Sequence, residues 1–192
     1  MVKNRALKRD ARIIKASSGI TYPRALDLLT GPVDKDTLVP SLFLGYGADG
    51  GNIIHRPGKS NVLVIGGYTG SGKSVLMNRL ANEAADTASV HVIDVAKQGT
   101  DYRGIQDSLA SLETTAAGAL ERVRTLTAPR NTPSIIFIDY FRDTEDIPGF
   151  LESLEALSAS GVPIVVGSQM PYRTLPAALM ERADRVLIGN TD

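Results

Sequence analysis

The 192-residue sequence has no cysteine, only two histidines and no long apolar run, and each shortage removes a class of protein. Without cysteine there is neither a disulfide scaffold nor a thiolate metal site. His55 and His91 alone are too few imidazoles for a histidine-built zinc centre. The longest apolar stretch, "NVLVIGG" at 61–67, is far shorter than the roughly 20 residues a membrane-spanning helix needs. No signal-like apolar segment follows the N-terminal charges, so a cytoplasmic protein without a membrane span is expected. Net charge is also lacking, because 21 basic and 21 acidic residues cancel. The balance hides an asymmetry: residues 1–24 hold Lys3, Arg5, Lys8, Arg9, Arg12, Lys15 and Arg24 against Asp10 alone, so this segment carries +6 and the remainder −6.

What is present is an ordinary globular composition, 43% hydrophobic and 22% charged, which argues against wholesale disorder. The length fits one domain with a short appendage. "NRALKRDARIIKASSG" and "TYPRALDLL" predict two short helices before the turn-rich "TGPVDKD", giving a basic helical segment over 1–36 and a domain over 37–192. On the first helix Arg5, Arg9 and Arg12 share one side, as do Lys8, Arg12 and Lys15. That face suits phosphates of double-stranded DNA and plain solvent about equally, and docking to an acidic partner is a third option.

Beyond residue 42, "NVLVIG" (61–66), "SVHVID" (89–94), "SIIFID" (134–139) and "VPIVVGS" (162–168) are short, β-branched and nearly continuous in hydrophobicity, the pattern of strands covered on both faces. "RVLIG" (185–189) offers a fifth. Helical stretches are predicted over 73–86, about 115–127 and 147–160. The alternation predicts an α/β fold with a mainly parallel sheet flanked by helices.

"GYTGSGKS", residues 67–74, matches GxxxxGK followed by Ser or Thr, and it lies between a strand and a helix as that motif requires. Gly67, Gly70 and Gly72 let the backbone curl so that the N–H groups of Tyr68, Thr69, Ser71 and their neighbours through Val75 can face anionic oxygens. The helix N-terminus adds its positive dipole end. Lys73 supplies charge for the β- and γ-phosphates, and Ser74 can ligate magnesium. "IIFID" ends in Asp139, a second magnesium-holding acid. Many ATPases place a water-activating glutamate next; here the residue is Tyr140. The cofactors expected are ATP and Mg2+. Asp94 is read either as assisting metal or water or as a cap after its strand, and Tyr46, Tyr68 and Tyr102 as alternatives for packing an adenine.

Further motifs narrow the group. "LGYGADGGNIIHRPGKSNVLVIGGYTGSGKSVLMN", with Asp49, Gly50 and Gly51, then Thr69 through Val75, then Asn78, resembles the core of the FtsK/SpoIIIE-type DNA translocases of the HerA-FtsK superfamily. "IDVAKQGTDY" is similar to that family's second-strand segment, with Asp94, Lys97 and Tyr102 on its Asp, Lys and Tyr. "GVPIVVGSQMP" resembles the strand ending in Thr-Gln-Arg-Pro, with Gln169 on its polar sensor position. The resemblance implies a RecA-like P-loop ATPase acting on double-stranded DNA as a ring, commonly a hexamer, or beside a related ATPase subunit. Lys73, Asp139 and Gln169 would be the catalytic residues.

Departures accompany the likeness. Tyr140 replaces the usual glutamate, and Asp143, Glu145 and Asp146 lie beyond the strand end. Met170 replaces the arginine of the sensor motif, with Arg173 nearby. "IGNTD" stands about where the family continues with a Ser-Arg that reaches a neighbour's nucleotide. The expectation is a minimal or degenerate member whose hydrolysis is weak or dependent on assembly. The alternatives are a non-hydrolysing ATP-dependent adaptor, a secretion-type FtsK-like ATPase and, fitting less well for want of an arginine-rich lid, a small-molecule kinase.

Overall fold

The computed structural model describes residues 41–47, 50–57, 60–128, 133–169 and 175–188, without the side chain of Asp143. The basic segment 1–36 with Arg5, Lys8, Arg9, Arg12 and Lys15, together with Asp49, Met170 and Arg173, lies outside the described residues.

The chain enters through an antiparallel hairpin, β1 (Leu42–Tyr46) and β2 (Asn52–His55). There follow β3 (Val62–Gly67), α1 (Lys73–Ala85), β4 (Ser89–Ile93), a 3-10 segment (Thr100–Ser108), β5 (Ser111–Glu113) and α2 (Ala116–Leu126). The second half holds β6 (Ser134–Ile138), a short 3-10 turn (Phe141–Asp143), α3 (Phe150–Ala159), β7 (Ile164–Ser168), α4 (Ala177–Met180) and β8 (Ala183–Ile188). Strands β3 to β8 form one six-stranded sheet in the order β5-β4-β6-β7-β3-β8, and every pairing in it is parallel.

The near-continuous hydrophobicity of the strands follows from burial on both faces. In β3, Val62 and Val64 join one core with α2, α3 and α4, while Leu63 and Ile65 join the other with α1 and the 3-10 segment. Each such side chain contributes about 1.5–3 kcal/mol by leaving water. Helix α1 supplies the second core with Met77, Leu80, Ala81 and Ala84, a stripe at helical spacing.

The hairpin is tied on at two points. Arg79 Nη2 of α1 donates to Phe43 O at 2.8 Å and its guanidinium stacks 5.6 Å from the Phe43 ring centroid. Buried His55 in β2 meets Asp184 of β8 at 2.8 Å.

Four differences from the sequence reading have local causes. Helix α3 begins at Phe150 rather than 147, because Pro148 disfavours helical geometry at Ile147 and Gly149 takes a left-handed φ of 77°. Thr115 stands outside α2 as its N-cap, its side chain accepting from Gly118 N at 3.1 Å. Strand β8 runs from Ala183 to Ile188, two residues earlier than read. The edge strand β5 has only three residues, "SLE", too short and mixed for a periodicity signal. Among the described residues, no helix is long and apolar enough to cross a membrane.

Candidate functional site

The strand order puts the P-loop at the end of β3 and Asp139 just past the end of β6, with β7 between them. Parallel pairing aligns all three C-terminal ends, so the loops after β3, β6 and β7 share one edge of the sheet, where ligands of open α/β folds bind.

The loop itself is shaped by its glycines. Gly70 and Gly72 adopt φ of 82° and 91°, backbone that a side chain would strain. Gly67 is required for space: a Cβ there would lie 2.5 Å from both Ile188 O and Ser71 Oγ. Ser71 Oγ is buried with no hydrogen-bond partner among the described residues. Helix α1 opens at Lys73 with no side-chain cap and no acidic residue in its first turn, so its positive end is left uncompensated toward the loop.

Lys73 is only 7% exposed, and its ammonium donates to Gly67 O at 2.8 Å and Tyr68 O at 2.7 Å. Burial lowers its pKa; Asp139 opposes this and the charge of Lys97 adds to it. Asp139 is buried, accepting from Tyr102 OH at 3.1 Å and from Tyr140 N at 2.9 Å. Burial raises its pKa against stabilising hydrogen bonds from Ser74 and Tyr102. Its place depends on Gly167 in the adjacent β7, where a Cβ would collide with Met77 Sδ and sit 2.9 Å from Asp139 Oδ1. The sequence pair Ser74 and Asp139 is thus brought together. Gln169 also arrives, its Nε2 donating to Thr69 Oγ1 at 3.0 Å.

Tyr140 has φ 54° and ψ 54°, a left-handed conformation that costs a non-glycine residue about 1–2 kcal/mol. Its hydroxyl lies 3.4 Å from Ser74 Oγ, and the Lys97 ammonium sits 4.6 Å from its ring centroid. A cleft of about 450 Å³ is lined by Lys73, Ser74, Lys97, Asp101, Tyr140 and Gln169, with Thr69, Gly70, Gly72, Val75 and Asn78 completing its wall. Tyr68, 82% exposed, is outside this lining. Neither Glu145 nor Asp146 lines the cleft, so neither stands in for the missing glutamate in this arrangement.

Two other sequence readings resolve. Asp94 is fully buried and accepts from Lys97 N and Gly99 N, both at 3.0 Å, so it caps the turn after β4. Tyr102 is fully buried with its hydroxyl on Asp139, which rules it out as an adenine platform. The contact of Lys97 with Tyr140 and the support of Asp139 by Tyr102 were missed. The consecutive Gln98 and Gly99, both with positive φ, hold a tight turn that presents Lys97 to the cleft, and a Gly after a strand end was the available signal.

Sheet, loop and the acid on the next strand but one together define a RecA-like P-loop fold. No protein-family model and no curated protein matches the chain. Solved structures do. The conjugation coupling protein TcpA of pCW3, in monomer form with ATPγS, superposes at a TM-score of 0.64 and 18% identity, covering 80% of this chain and 55% of that one. The cytoplasmic domain of EssC gives 0.59 at 13% identity, covering 79% and 37%. The cytoplasmic domain of the type VII secretion ATPase EccC from Thermomonospora curvata gives 0.58 at 15%, covering 79% and 22%. The chain therefore spans about half of the first of these proteins and less of the others, and the likeness is one of fold.

Proposed function

We propose that this chain is an FtsK-like P-loop domain that binds ATP with Mg2+ and, in the absence of partner chains, turns it over slowly. The observation that carries this is the convergence on one cleft of the uncapped start of α1, the Lys73 ammonium parked on Gly67 O and Tyr68 O, and Ser74 beside the buried Asp139. Lys73 is positioned to exchange two carbonyl acceptors for phosphate oxygens, which are charged and therefore stronger partners. Ser74 Oγ and the Asp139 carboxylate would hold the metal, directly or through water. The metal supplies charge neutralisation on the phosphates. Gln169, which donates to Thr69, would contact the terminal phosphate. Tyr140 cannot orient and deprotonate water as a carboxylate base does, which is the reason for expecting slow turnover.

Double-stranded DNA is the favoured polymer, supported by the +6 segment over residues 1–24 and by the coupling-protein neighbour. A protein substrate is the second reading, supported by the two secretion-system neighbours. A homo-oligomeric ring or a related ATPase subunit would supply an arginine in trans. Phosphate release measured with and without duplex DNA separates these: stimulation by DNA supports the first, and retained ATP binding with release unchanged by DNA overturns it.

A further inference from the structure

Lys97 has no role in the reading above, yet it faces the same cleft as Lys73. Its backbone is fixed, because buried Asp94 accepts from the N–H groups of both Lys97 and Gly99. Its side chain is not fixed: it is 44% exposed, and its ammonium rests 2.8 Å from Asp101 Oδ2 and 4.6 Å from the Tyr140 ring centroid. A lysine head on a four-carbon stem can move several ångströms from a fixed backbone. Both resting partners are also cleft-lining residues, so the ammonium waits at the wall and not in bulk solvent.

Two like charges on one cleft cost energy without an anion between them. In keeping with this, the charge of Lys97 adds a minor push to the lowering of the Lys73 pKa, which burial dominates. The same cleft also places the Asp101 carboxylate, the only acid in its lining among the described residues, against Lys97. A ligand with several negative oxygens turns the repulsion between the two ammonium groups into attraction and offers Lys97 a better partner than Asp101. Lys73 sits at the start of α1, which follows β3; Lys97 follows β4, three strands along the sheet, and rests beside Tyr140, which follows Asp139. An anion reaching from the loop toward that side must be longer than one that ends in the loop.

We infer that Lys97 reads the third phosphate of a bound nucleoside triphosphate in cis, leaving Asp101 for it, and so makes the site prefer triphosphate over diphosphate. The inference rests on the nucleotide-binding reading and assigns it a selectivity residue.

The test is a pair of titrations, ATPγS and ADP, each with Mg2+, on the full chain and three variants. Lys97→Ala lowers the ATPγS-to-ADP affinity ratio roughly tenfold, the scale of one hydrogen bond to a charged group, and leaves ADP affinity within about twofold. Lys97→Arg keeps most of the ratio. Asp101→Asn, which frees Lys97 and removes a negative charge from the cleft, raises the ratio a few-fold. Thermal melting of each variant checks folding, and a purely structural Lys97 would shift the melt without moving the ratio. A ratio unchanged in Lys97→Ala, or lowered in Asp101→Asn, overturns the assignment while the nucleotide site stands. A wild-type chain that binds neither nucleotide overturns the nucleotide reading and this one with it.

Discussion

The two walls of the cleft are built in opposite ways. The phosphate wall is one contiguous stretch, Gly67 to Ser74, in which glycines with positive φ, the uncapped start of α1 and Lys73 all follow from eight consecutive residues. The facing wall is assembled from distant pieces: Tyr140 after β6, with Asp139 buried behind it, Lys97 and Asp101 after β4, and Gln169 after β7. The first wall matches the P-loop pattern throughout. The second keeps the acid but carries a strained tyrosine where a base belongs. On the proposed reading, the difference would make holding a nucleotide and activating water on it separable, because one property is local to a turn and the other depends on several loops agreeing.

Breaking the phosphate wall has the largest expected effect. Lys73→Ala lowers MgATP affinity about 100-fold or more, as measured by calorimetric titration, since it removes the buried ammonium at the centre of the proposed phosphate site. On the facing wall, Tyr140→Glu raises phosphate release about tenfold if the remaining catalytic groups are in place, a fraction of what a positioned base can supply. Unchanged release would place the deficit elsewhere in the site.

The contact between the walls is tested next. Gly167→Ala pushes a methyl into Met77 and toward Asp139, costing about 1–3 kcal/mol in denaturant unfolding and weakening Mg2+-dependent binding more than Mg2+-free binding. Tyr102→Phe takes one donor from the buried Asp139 carboxylate and costs about 1 kcal/mol, with no direct loss of a cleft-lining group.

The smallest effect lies away from the cleft. Burial lowers the pKa of His55 below its ordinary 6.5 despite the opposing pull of Asp184. A histidine so depressed contributes stability that is present above the unfolded value and is lost as pH falls through the folded one. The melting temperature of wild type should therefore drop more than that of His55→Gln between pH 7 and pH 5. Equal drops would mean that His55 does not titrate abnormally.

Much of the fold was legible because parallel strands covered on both faces read as continuous apolar runs, and β3, β4, β6 and β7 did so. β5 was not legible, because an edge strand of three residues carries no periodicity. Within the site, legibility followed the same division as the two walls. The loop residues, Ser74 and Lys73 could be read from one motif, and Asp139 and Gln169 from their places at strand ends. The cap made by Asp94, the support of Asp139 by Tyr102 and the position of Lys97 depend on how loops after different strands fold toward one edge. Residue spacing along the chain does not encode that.

The most direct test of separable binding and hydrolysis is a single-turnover experiment with labelled ATP, Mg2+ and excess protein in the absence of DNA and partner chains. The account predicts that ATP is retained at one per chain and stays largely intact over many minutes. Failure to retain ATP, or its rapid conversion to ADP and phosphate by the isolated chain, would contradict it.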